Sequence, residues 1–242
     1  IIHGATYAQP LKFTKNDIET ILLNTMATNE LIKLINKKGK FLFISSSEVY
    51  SGLIKSRLKE EDIGNTNPSH FRSCYIESKR CGEAIINAYR KKDYDAKSVR
   101  LCLAYGPGVK KDDNRVLNEF IKKGMIDKKI IITGGEDNIR AYIYITDAIK
   151  MLTNILFFGK ENVYNVGGSQ KISILGLAKS IAKELKVPFV NKKCKKVDQG
   201  APNHVQIDIG KYKKEFGKLQ FTNIKKGINK TIEWHKAIIK KI

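Results

Sequence analysis

The 242 residues are 42% hydrophobic and 29% charged, and no apolar run approaches the roughly 18 residues that cross a bilayer. Such a composition is typical of a globular protein with one large domain or one and a half. The start IIHGATYAQP lacks the sections of a signal peptide, and the four cysteines form no Cys-x-x-Cys or Cys/His cluster. We therefore expect a cytoplasmic protein that has no membrane segment and no metal site.

The net charge of +21 raises the question of nucleic-acid binding. Of the 45 basic residues, 38 are lysines spread along the whole chain and only 7 are arginines. Directed recognition of phosphates or bases favours arginine and clustering on one element. We expect a solvated lysine surface that attracts small anions and binds no specific nucleic acid. A lysine-rich nucleic-acid binder remains an alternative, and it predicts an affinity that falls steeply with salt.

The first half of the chain alternates buried strands with helices. In order it predicts a strand at IIHGA, a helix from about Asn16 to Asn36, a buried strand at KFLFIS, a polar loop over 51–70, a helix from about Cys74 to Lys92, and the strand KSVRLCLAYGP. This alternation is typical of a parallel sheet that is covered by helices on both faces.

The second half predicts shorter elements. In order they are a helix around Arg115 to Lys123, the strands KIIIT and RAYIYI, a helix through Leu156, the strand VYNVGG, an amphipathic helix that begins at Ser173, and helices near 208–216 and 224–240. Thr146 or Asp147 is a plausible N-cap for the helix through Leu156. In the last helix we expect His235 on the exposed side.

The segment RSCYIESKRCGE places Tyr75 four residues before Lys79, so the two side chains share one helix face. A free tyrosine has a pKa near 10, which is too high for a base at neutral pH, and a nearby ammonium lowers it. In FLFISSSEVYSG a buried strand ends in three serines, at the sheet edge where open α/β sheets bind ligands. A serine there, together with Tyr75 and Lys79, could transfer a proton. The spacing alone is weak evidence, because 10 tyrosines and 38 lysines give such a match by chance.

The motifs around these residues resemble the extended short-chain dehydrogenase/reductase family, which comprises nucleotide-sugar epimerases, dehydratases and decarboxylases. The resemblance covers essentially the whole chain. It rests on the ordered segments IIHGA, FLFISSSEVY, CYIESKRCGE, VRLCLAYGPG and RAYIYITDAIK, with support from Asn24-Thr25, VYNVGG and the tail KKGINKTIEWHK. It implies NAD as cofactor, a nucleotide sugar as substrate and a homodimer.

The resemblance also implies roles for single residues. Tyr75 resembles the base that removes the proton from the sugar hydroxyl, and Ser46 resembles the hydroxyl that orients the same oxygen. Lys79 resembles the residue that holds the nicotinamide ribose and lowers the tyrosine pKa. Gly4 and Ala5, after the first strand, match cofactor-binding positions.

Four further positions match substrate contacts in the family. Arg140 matches an arginine that contacts the nucleotide phosphates, for which the arginine fork is suited. Ser47, Arg115 and Asn165 sit at positions that often touch the substrate.

The sequence Ser46-Ser47-Glu48 bears on which reaction is favoured. The 4,6-dehydratases of the family typically have Thr-Asp-Glu at this position, and the absence of the Asp from this chain disfavours dehydration. UDP-glucuronate decarboxylases resemble Thr-Ser-Glu, so decarboxylation is favoured, with Glu48 a candidate for proton handling or for sugar positioning. Oxidation at C4 would give a β-keto acid that readily loses carbon dioxide. A 4-epimerase is the next alternative, and Glu48 could equally be a solvated loop acid.

The glycine-rich fingerprint of the family, Gly-x-x-Gly-x-x-Gly, is expected well before IIHGA, where it would hold the cofactor pyrophosphate. We therefore expect either a fragment of a longer protein or a natural truncation, and the truncation could be a non-catalytic remnant or a nucleotide-binding module. The expected fold is α/β, a partial Rossmann-type doubly wound parallel sheet with a smaller α/β substrate-binding domain. Residues 1–107 would form the incomplete NAD-binding domain, with returning elements about 141–168. Residues 108–140 and 169–242 would bind substrate.

Overall fold

The computed structural model describes residues 1–36, 38–55, 57–168, 171–192 and 206–239. The chain divides into two compact units. Unit 1 comprises Ile1–Cys102, Ala148–Gly167 and Ile207–Leu219. Unit 2 comprises Leu103–Asp147, Gly168–Gln206 and Gln220–Ile242. No helix among the described residues is long and apolar enough to cross a membrane.

Unit 1 is built on a four-stranded parallel sheet. Its elements are β1 (Ile2–His3), α1 (Pro10–Phe13), α2 (Asp17–Asn24), α3 (Met26–Ile32), β2 (Lys40–Ser46), a 3₁₀ turn (Ser47–Tyr50), α4 (Ser73–Arg90), β3 (Asp95–Leu101), β7 (Val163–Val166) and α8 (Gly210–Phe216), together with most of α6 (Ile145–Phe158). The strand order is β1-β2-β3-β7, and the register pairs Ser45 with Arg100 and Ser46 with Leu101. The carboxyl ends of these parallel strands therefore share one edge of the sheet.

Helix α4 packs closely against the sheet. A Cβ atom on Gly82 would lie 2.4 Å from Cζ of Phe43 on β2 and 2.8 Å from the carbonyl oxygen of Asn24 on α2. Real Cβ atoms do not approach other atoms so closely, so this helix position requires glycine. The absent side chain lets the backbone of α4 approach β2 and α2 at the same level.

The single helix expected from about Asn16 to Asn36 is wrong, because the chain forms α2 and α3 with a break at Thr25. Thr25 has φ −114° and ψ −74°, outside the regular helical geometry. Asn24 donates from Nδ2 to Oγ of Ser78, and Ser78 donates to the carbonyl oxygen of Tyr75. The break thus sits where α2 is hydrogen-bonded to α4.

Unit 2 contains a three-stranded and a two-stranded sheet. Its elements are β4 (Leu103–Tyr105), α5 (Val116–Ile126), β5 (Ile130–Ile132), β6 (Ile139–Tyr144), the first turn of α6, β8 (Lys171–Ser173), α7 (Ile174–Leu185), β9 (Phe189–Asn191) and α9 (Ile224–Ile239). The sheets have the orders β4-β6-β8 and β5-β9. Their core is apolar and aromatic, with Ile121, Leu177, Ile181 and Ile228 fully buried. The amphipathic helix predicted from Ser173 is confirmed as α7, and Ser173 is its N-cap, accepting from the backbone N–H of Gly176 at 3.0 Å.

Three predicted details are wrong. The expected strand over 97–107 is two strands in two sheets, because β3 ends before Cys102 and β4 pairs with β6 instead. Helix α6 begins at Ile145, so Thr146 and Asp147 lie inside its first turn and neither is the N-cap. His235 is 2% exposed, not on the solvent side of α9.

The predicted division into a cofactor-binding and a substrate-binding portion stays a prediction, and the compact units have different boundaries from those portions. The change of unit falls after Cys102 rather than after Pro107, and the chain returns to unit 1 over 148–167 rather than 141–168. Residues 207–219, which were expected in the substrate-binding portion, belong to unit 1.

Candidate active site

Tyr75 and Lys79 lie one turn apart on α4, and both are buried. The Tyr75 ring stacks on Phe13 of α1, with ring centroids 4.8 Å apart and planes 11° from parallel. The Lys79 ammonium lies 5.7 Å from the centre of the Tyr75 ring and 4.8 Å from that of Phe43. The phenol and the ammonium are therefore neighbours inside unit 1.

Lys79 is 1% exposed, although it carries a charge. Its Nζ donates to the carbonyl oxygen of Ile44 at 2.7 Å, two residues before Ser46 on β2. An ammonium has three N–H donors, and this is its one hydrogen bond to the described part of the chain. Burial lowers the pKa of Lys79 to about 7, and the charge of Glu83 opposes that shift. The ammonium can therefore both donate to a bound hydroxyl and favour a phenolate nearby.

Ser46 is the last residue of β2 and is buried. Its Oγ accepts from the backbone N–H of Glu48 at 3.2 Å, so it caps the 3₁₀ turn that follows. Ser47 begins that turn and is half-buried. The Ser46 hydroxyl hydrogen remains available to donate, because capping uses only the oxygen as acceptor.

Glu48 is not a solvated loop acid, because its carboxylate is held by Arg72. The Arg72 guanidinium donates from Nε to Oε2 at 3.2 Å and from a terminal nitrogen to Oε1 at 2.6 Å. The same guanidinium lies 5.3 Å from the centre of the Phe13 ring, which stacks on Tyr75. Arg72 directly precedes α4. Two contacts, Arg72 to Glu48 and Lys79 to Ile44, thus bind α4 to the end of β2 on either side of Tyr75 and Ser46.

Gly4 and Ala5 follow β1 and are exposed. A Cβ atom on Gly4 would meet Cγ1 of Ile44 at 3.5 Å, an ordinary contact, so packing within unit 1 does not require glycine there. Their backbone is exposed beside β2, the strand whose Ile44 carbonyl oxygen accepts from Lys79.

Asn165 lies on β7 and is fully buried. Its Oδ1 accepts from the Tyr50 hydroxyl at 2.8 Å, and its Nδ2 donates to the carbonyl oxygens of Leu58 and Asp208. Its amide group is thus occupied inside unit 1. This geometry favours a structural role for Asn165 over the predicted contact with a substrate nucleotide.

Arg115 and Arg140 lie in unit 2, and unit 1 contains the other predicted site residues. Arg115 directly precedes α5, and its guanidinium binds both carboxylate oxygens of Asp113. Arg140 is half-buried on β6 and donates to the carbonyl oxygen of Ile139 at 3.2 Å. Each arginine therefore already has a partner within unit 2.

The model of the NAD dependent epimerase/dehydratase family matches residues 1–167, which include Ser46, Tyr75 and Lys79. The chain belongs to this family. The resemblance on which the sequence prediction was based is thereby confirmed, as is the α/β fold with a parallel Rossmann-type sheet.

Curated relatives are similar over nearly the whole chain. UDP-glucuronic acid decarboxylase 1 of Xenopus tropicalis is 28% identical over 240 residues, which are 97% of this chain and 56% of the relative. UDP-glucuronic acid decarboxylase 6 of Arabidopsis thaliana is 29% identical over 219 residues, which are 90% of this chain and 64% of the relative. The chain thus spans between half and two thirds of the length of these relatives.

Solved structures confirm the fold. UDP-N-acetylglucosamine 4-epimerase from Methanobrevibacter ruminantium M1 superposes with a TM-score of 0.86 at 20% identity, covering 98% of this chain and 76% of that one. UDP-glucuronic acid 4-epimerase from Bacillus cereus, solved with UDP-glucuronic acid and NAD, has a TM-score of 0.78 at 24% identity and covers 90% of this chain and 69% of that one.

The residues that could hold the NAD of this family are Tyr75, Lys79, Gly4 and Ala5. The buried ammonium of Lys79 fits a ribose hydroxyl, because two of its N–H groups make no hydrogen bond to the described residues, and buried donors are normally paired. The exposed backbone at Gly4 and Ala5 is compatible with a group lying against it. The chemistry of the donor set is thus suited to the cofactor that the family uses.

Sequence reasoning missed the polar residues that support this site, Arg72 and Glu83. Both lie within the segment RSCYIESKRCGE that drew attention to Tyr75 and Lys79. Arg72 is three residues before Tyr75, and Glu83 is four residues after Lys79, so helical spacing places both beside the pair. That spacing was the signal that could have found them.

Proposed function

We propose that this chain carries the proton-transfer residues of an NAD-dependent nucleotide-sugar enzyme that oxidises the sugar at C4, and that its reaction is decarboxylation of UDP-glucuronate. The observation that carries the proposal is the buried Lys79 ammonium beside the Tyr75 ring, tied to the end of β2. The UDP-glucuronic acid decarboxylases among the relatives and the sequence Ser46-Ser47-Glu48 support the choice of reaction.

Tyr75 is the base in this proposal. Its hydroxyl oxygen takes the proton from the C4 hydroxyl of the sugar, and the Lys79 ammonium favours the phenolate that this requires. Ser46 Oγ donates a hydrogen bond to the same sugar oxygen and orients it. NAD, when bound, accepts the hydride from C4. Lys79 and the backbone of Gly4 and Ala5 hold that cofactor.

Glu48 positions the sugar. Its carboxylate is already bound to Arg72 through two hydrogen bonds, so it is better suited to accept a hydrogen bond from a fixed place than to carry a proton. Oxidation at C4 places a carbonyl beta to the C5 carboxylate, and such β-keto acids lose carbon dioxide readily. A proton would then take the place of the carboxylate at C5. The hydride held by the cofactor would return to C4 while Tyr75 gives its proton back to the C4 oxygen, so the cofactor ends as NAD and the product has lost carbon dioxide alone.

Ser47, Arg140, Arg115 and Asn165 keep their predicted place at the nucleotide as part of this proposal. Arg140 and Arg115 would bind phosphate oxygens. For Arg115 this means sharing or releasing its ion pair with Asp113. Asn165 is the least favoured of these four candidate substrate contacts, because its amide is already hydrogen-bonded within unit 1.

Incubation with UDP-glucuronate and NAD tests the proposal, using the native protein with any residues that flank these 242. We expect a product that is lighter by one carbon dioxide, and we expect Tyr75→Phe to lower kcat by about 100- to 10,000-fold. Tyr89→Phe is the matched control, because Tyr89 lies on the same helix and its hydroxyl donates to Asn29, away from Lys79. It should retain activity.

The product distinguishes the alternatives. A product of unchanged mass with inverted configuration at C4 would identify a 4-epimerase, which uses the same three residues. Native mass spectrometry with added NAD tests the non-catalytic alternative. A protein that binds no NAD and whose Tyr75→Phe variant equals the parent in every assay would refute the enzymatic proposal.

We also propose that the protein is a homodimer through α2. Ile18, Ile21 and Leu22 occupy one face of α2 and are 66%, 41% and 44% exposed. Such a stripe of apolar side chains normally marks an interface, and dimers are implied by the family resemblance. Sedimentation should show a dimer that Ile18→Glu with Leu22→Glu converts to a monomer. Leu34→Glu, at a 73% exposed leucine beyond α3, should leave the dimer intact. A monomeric parent would refute this proposal.

A further inference from the structure

A buried carboxylate lies one turn beyond Lys79 on α4 and has no part in the proton transfer described above. Glu83 is 8% exposed and accepts from Oγ of Ser45 at 2.6 Å. It also binds the guanidinium of Arg100 on β3, from Nε at 3.0 Å and from a terminal nitrogen at 2.8 Å. Buried ions of this kind are costly unless they are paired, and here the pair is complete.

The contacts of Glu83 and Lys79 reach consecutive residues of β2. Lys79 binds the carbonyl oxygen of Ile44, and Glu83 binds the side chain of Ser45, which directly precedes Ser46. Arg100 is the register partner of Ser45 on the neighbouring strand. The Glu83 carboxylate thus joins α4, β2 and β3 at the level where the serine, tyrosine and lysine must be aligned.

The charge of the Glu83 carboxylate also acts on the Lys79 ammonium. Among the charged groups that act on the Lys79 ammonium, this carboxylate favours the charged form against burial. From β1, His3 faces the ammonium as well, but burial lowers the pKa of His3, so its imidazole is neutral around pH 7. Among the described residues, Tyr75 on α4 itself also lies beside the ammonium, with its ring centre 5.7 Å away. Arg100 pairs with Glu83 and is not among the charges that shift the Lys79 pKa.

We propose that Glu83 is a positioning residue for Lys79: its pair with Arg100 fixes α4 against β2, and its own carboxylate, one helical turn from Lys79, favours the charged form of the buried ammonium. The consequence for catalysis rests on the function proposed above. If the pKa of Lys79 falls, its ammonium is lost at a lower pH and from there on no longer favours the Tyr75 phenolate. The pH above which activity declines should then be lower as well.

The direct test is the titration of Lys79 itself, followed by NMR in protein labelled with ¹³Cε-lysine and assigned with Lys79→Arg. In Glu83→Gln we expect the Lys79 midpoint to fall by about one pH unit or more, because an attractive charge has been removed. Glu77→Gln is the matched control, since Glu77 lies on the same helix but pairs with Arg80. It should leave the midpoint unchanged.

Glu83→Gln leaves Arg100 buried without its partner and could fail to fold. The double variant Glu83→Met with Arg100→Met replaces the pair by apolar side chains, a change that proteins often tolerate. It should fold and show the same lowered midpoint. A Lys79 midpoint equal to the parent's in either folded variant overturns the proposal.

The activity profile gives a second reading in a protein that decarboxylates its substrate. There we expect the alkaline limb of kcat to move down with the Lys79 midpoint while KM changes little. The NMR titration needs no turnover, so it decides the role of Glu83 even if the proposed function is wrong.

Discussion

In unit 1 the space between helix α4 and the sheet holds charged groups, whereas unit 2 fills the corresponding space with aliphatic and aromatic side chains. Among the described residues, Lys79, Glu83 and Arg100 of unit 1 are all buried. The core of unit 2 is formed by residues such as Leu177, Ile181 and the tyrosines of β4 and β6, and the buried polar side chains in its described part are Asp113, Asn118, Thr231 and His235.

The difference indicates where each unit places its chemistry. Buried charges cost free energy and shift pKa values, so they concentrate where a protein must control protonation. Two further groups of unit 1 have shifted pKa values, as do Tyr105, Asp113 and His235 of unit 2. Burial raises the pKa of Tyr50 to about 12, so this tyrosine keeps its proton and donates to Asn165. Burial likewise raises the pKa of Glu60, whose carboxylate accepts from the backbone N–H of Asn165.

The largest effect should come from breaking the buried pair of unit 1. Arg100 binds Glu83, the Tyr50 hydroxyl and two backbone carbonyls, so Arg100→Met strands a buried carboxylate. We expect the free energy of unfolding to fall by about 3–5 kcal/mol. Denaturant unfolding with peptide-resolved hydrogen exchange should place the loss in 1–102.

Unit 2 supplies the control for this prediction. Lys123 pairs with Glu119 on α5, and the two side chains are 49% and 39% exposed, so Lys123→Met should cost about 1 kcal/mol or less. Equal losses in the two variants would contradict the contrast between the units.

The sequence could predict the features that depend on local patterns and not those that depend on tertiary contacts. Strands, helices and the Tyr75–Lys79 pair follow from local periodicity and motif spacing, and the helix that begins at Ser173 was found from the apolar spacing of Ile174, Leu177 and Ile181. The break after Leu101 could not be predicted, because LCLAY over residues 101–105 is continuously apolar and only tertiary pairing with β7 and β6 assigns its two parts to different sheets. His235 was misplaced because nothing in its residue type revealed the contact with Asn118, 3.5 Å away inside unit 2.

A smaller difference in stability is expected between two glycine-to-alanine variants, each in a helix of one unit. Gly82→Ala places a methyl group against the Phe43 ring and the backbone of Asn24, neither of which can move easily. We expect a loss of about 1–3 kcal/mol in the free energy of unfolding, as for other overpacked cores. In α5, Gly124→Ala meets chiefly Cδ1 of Leu185, the end of a flexible side chain. Alanine favours helix by up to about 1 kcal/mol, so the net change there should be near zero.

Thermal or denaturant unfolding of the two glycine variants measures this difference. The prediction fails if Gly82→Ala is as stable as the parent. It also fails if Gly124→Ala loses as much stability as Gly82→Ala, because the flexible contact in unit 2 would then be as rigid as the sheet contact in unit 1.

The smallest effect should come from the cap of α7 in unit 2. Ser173→Ala removes the oxygen that accepts from the Gly176 N–H, at a cost of about 1 kcal/mol in the free energy of unfolding. Ser180→Ala on the same helix is the control. Its hydroxyl donates to the Gly176 carbonyl, which already lies in the helix, so its loss should stay within about 0.5 kcal/mol of zero. Hydrogen exchange should show faster opening of the first turn of α7 in Ser173→Ala alone. If the amides of unit 1 exchanged faster by the same factor, the two units would unfold as one. The contrast between their interiors would then have to be tested by the stability of local openings rather than by global unfolding.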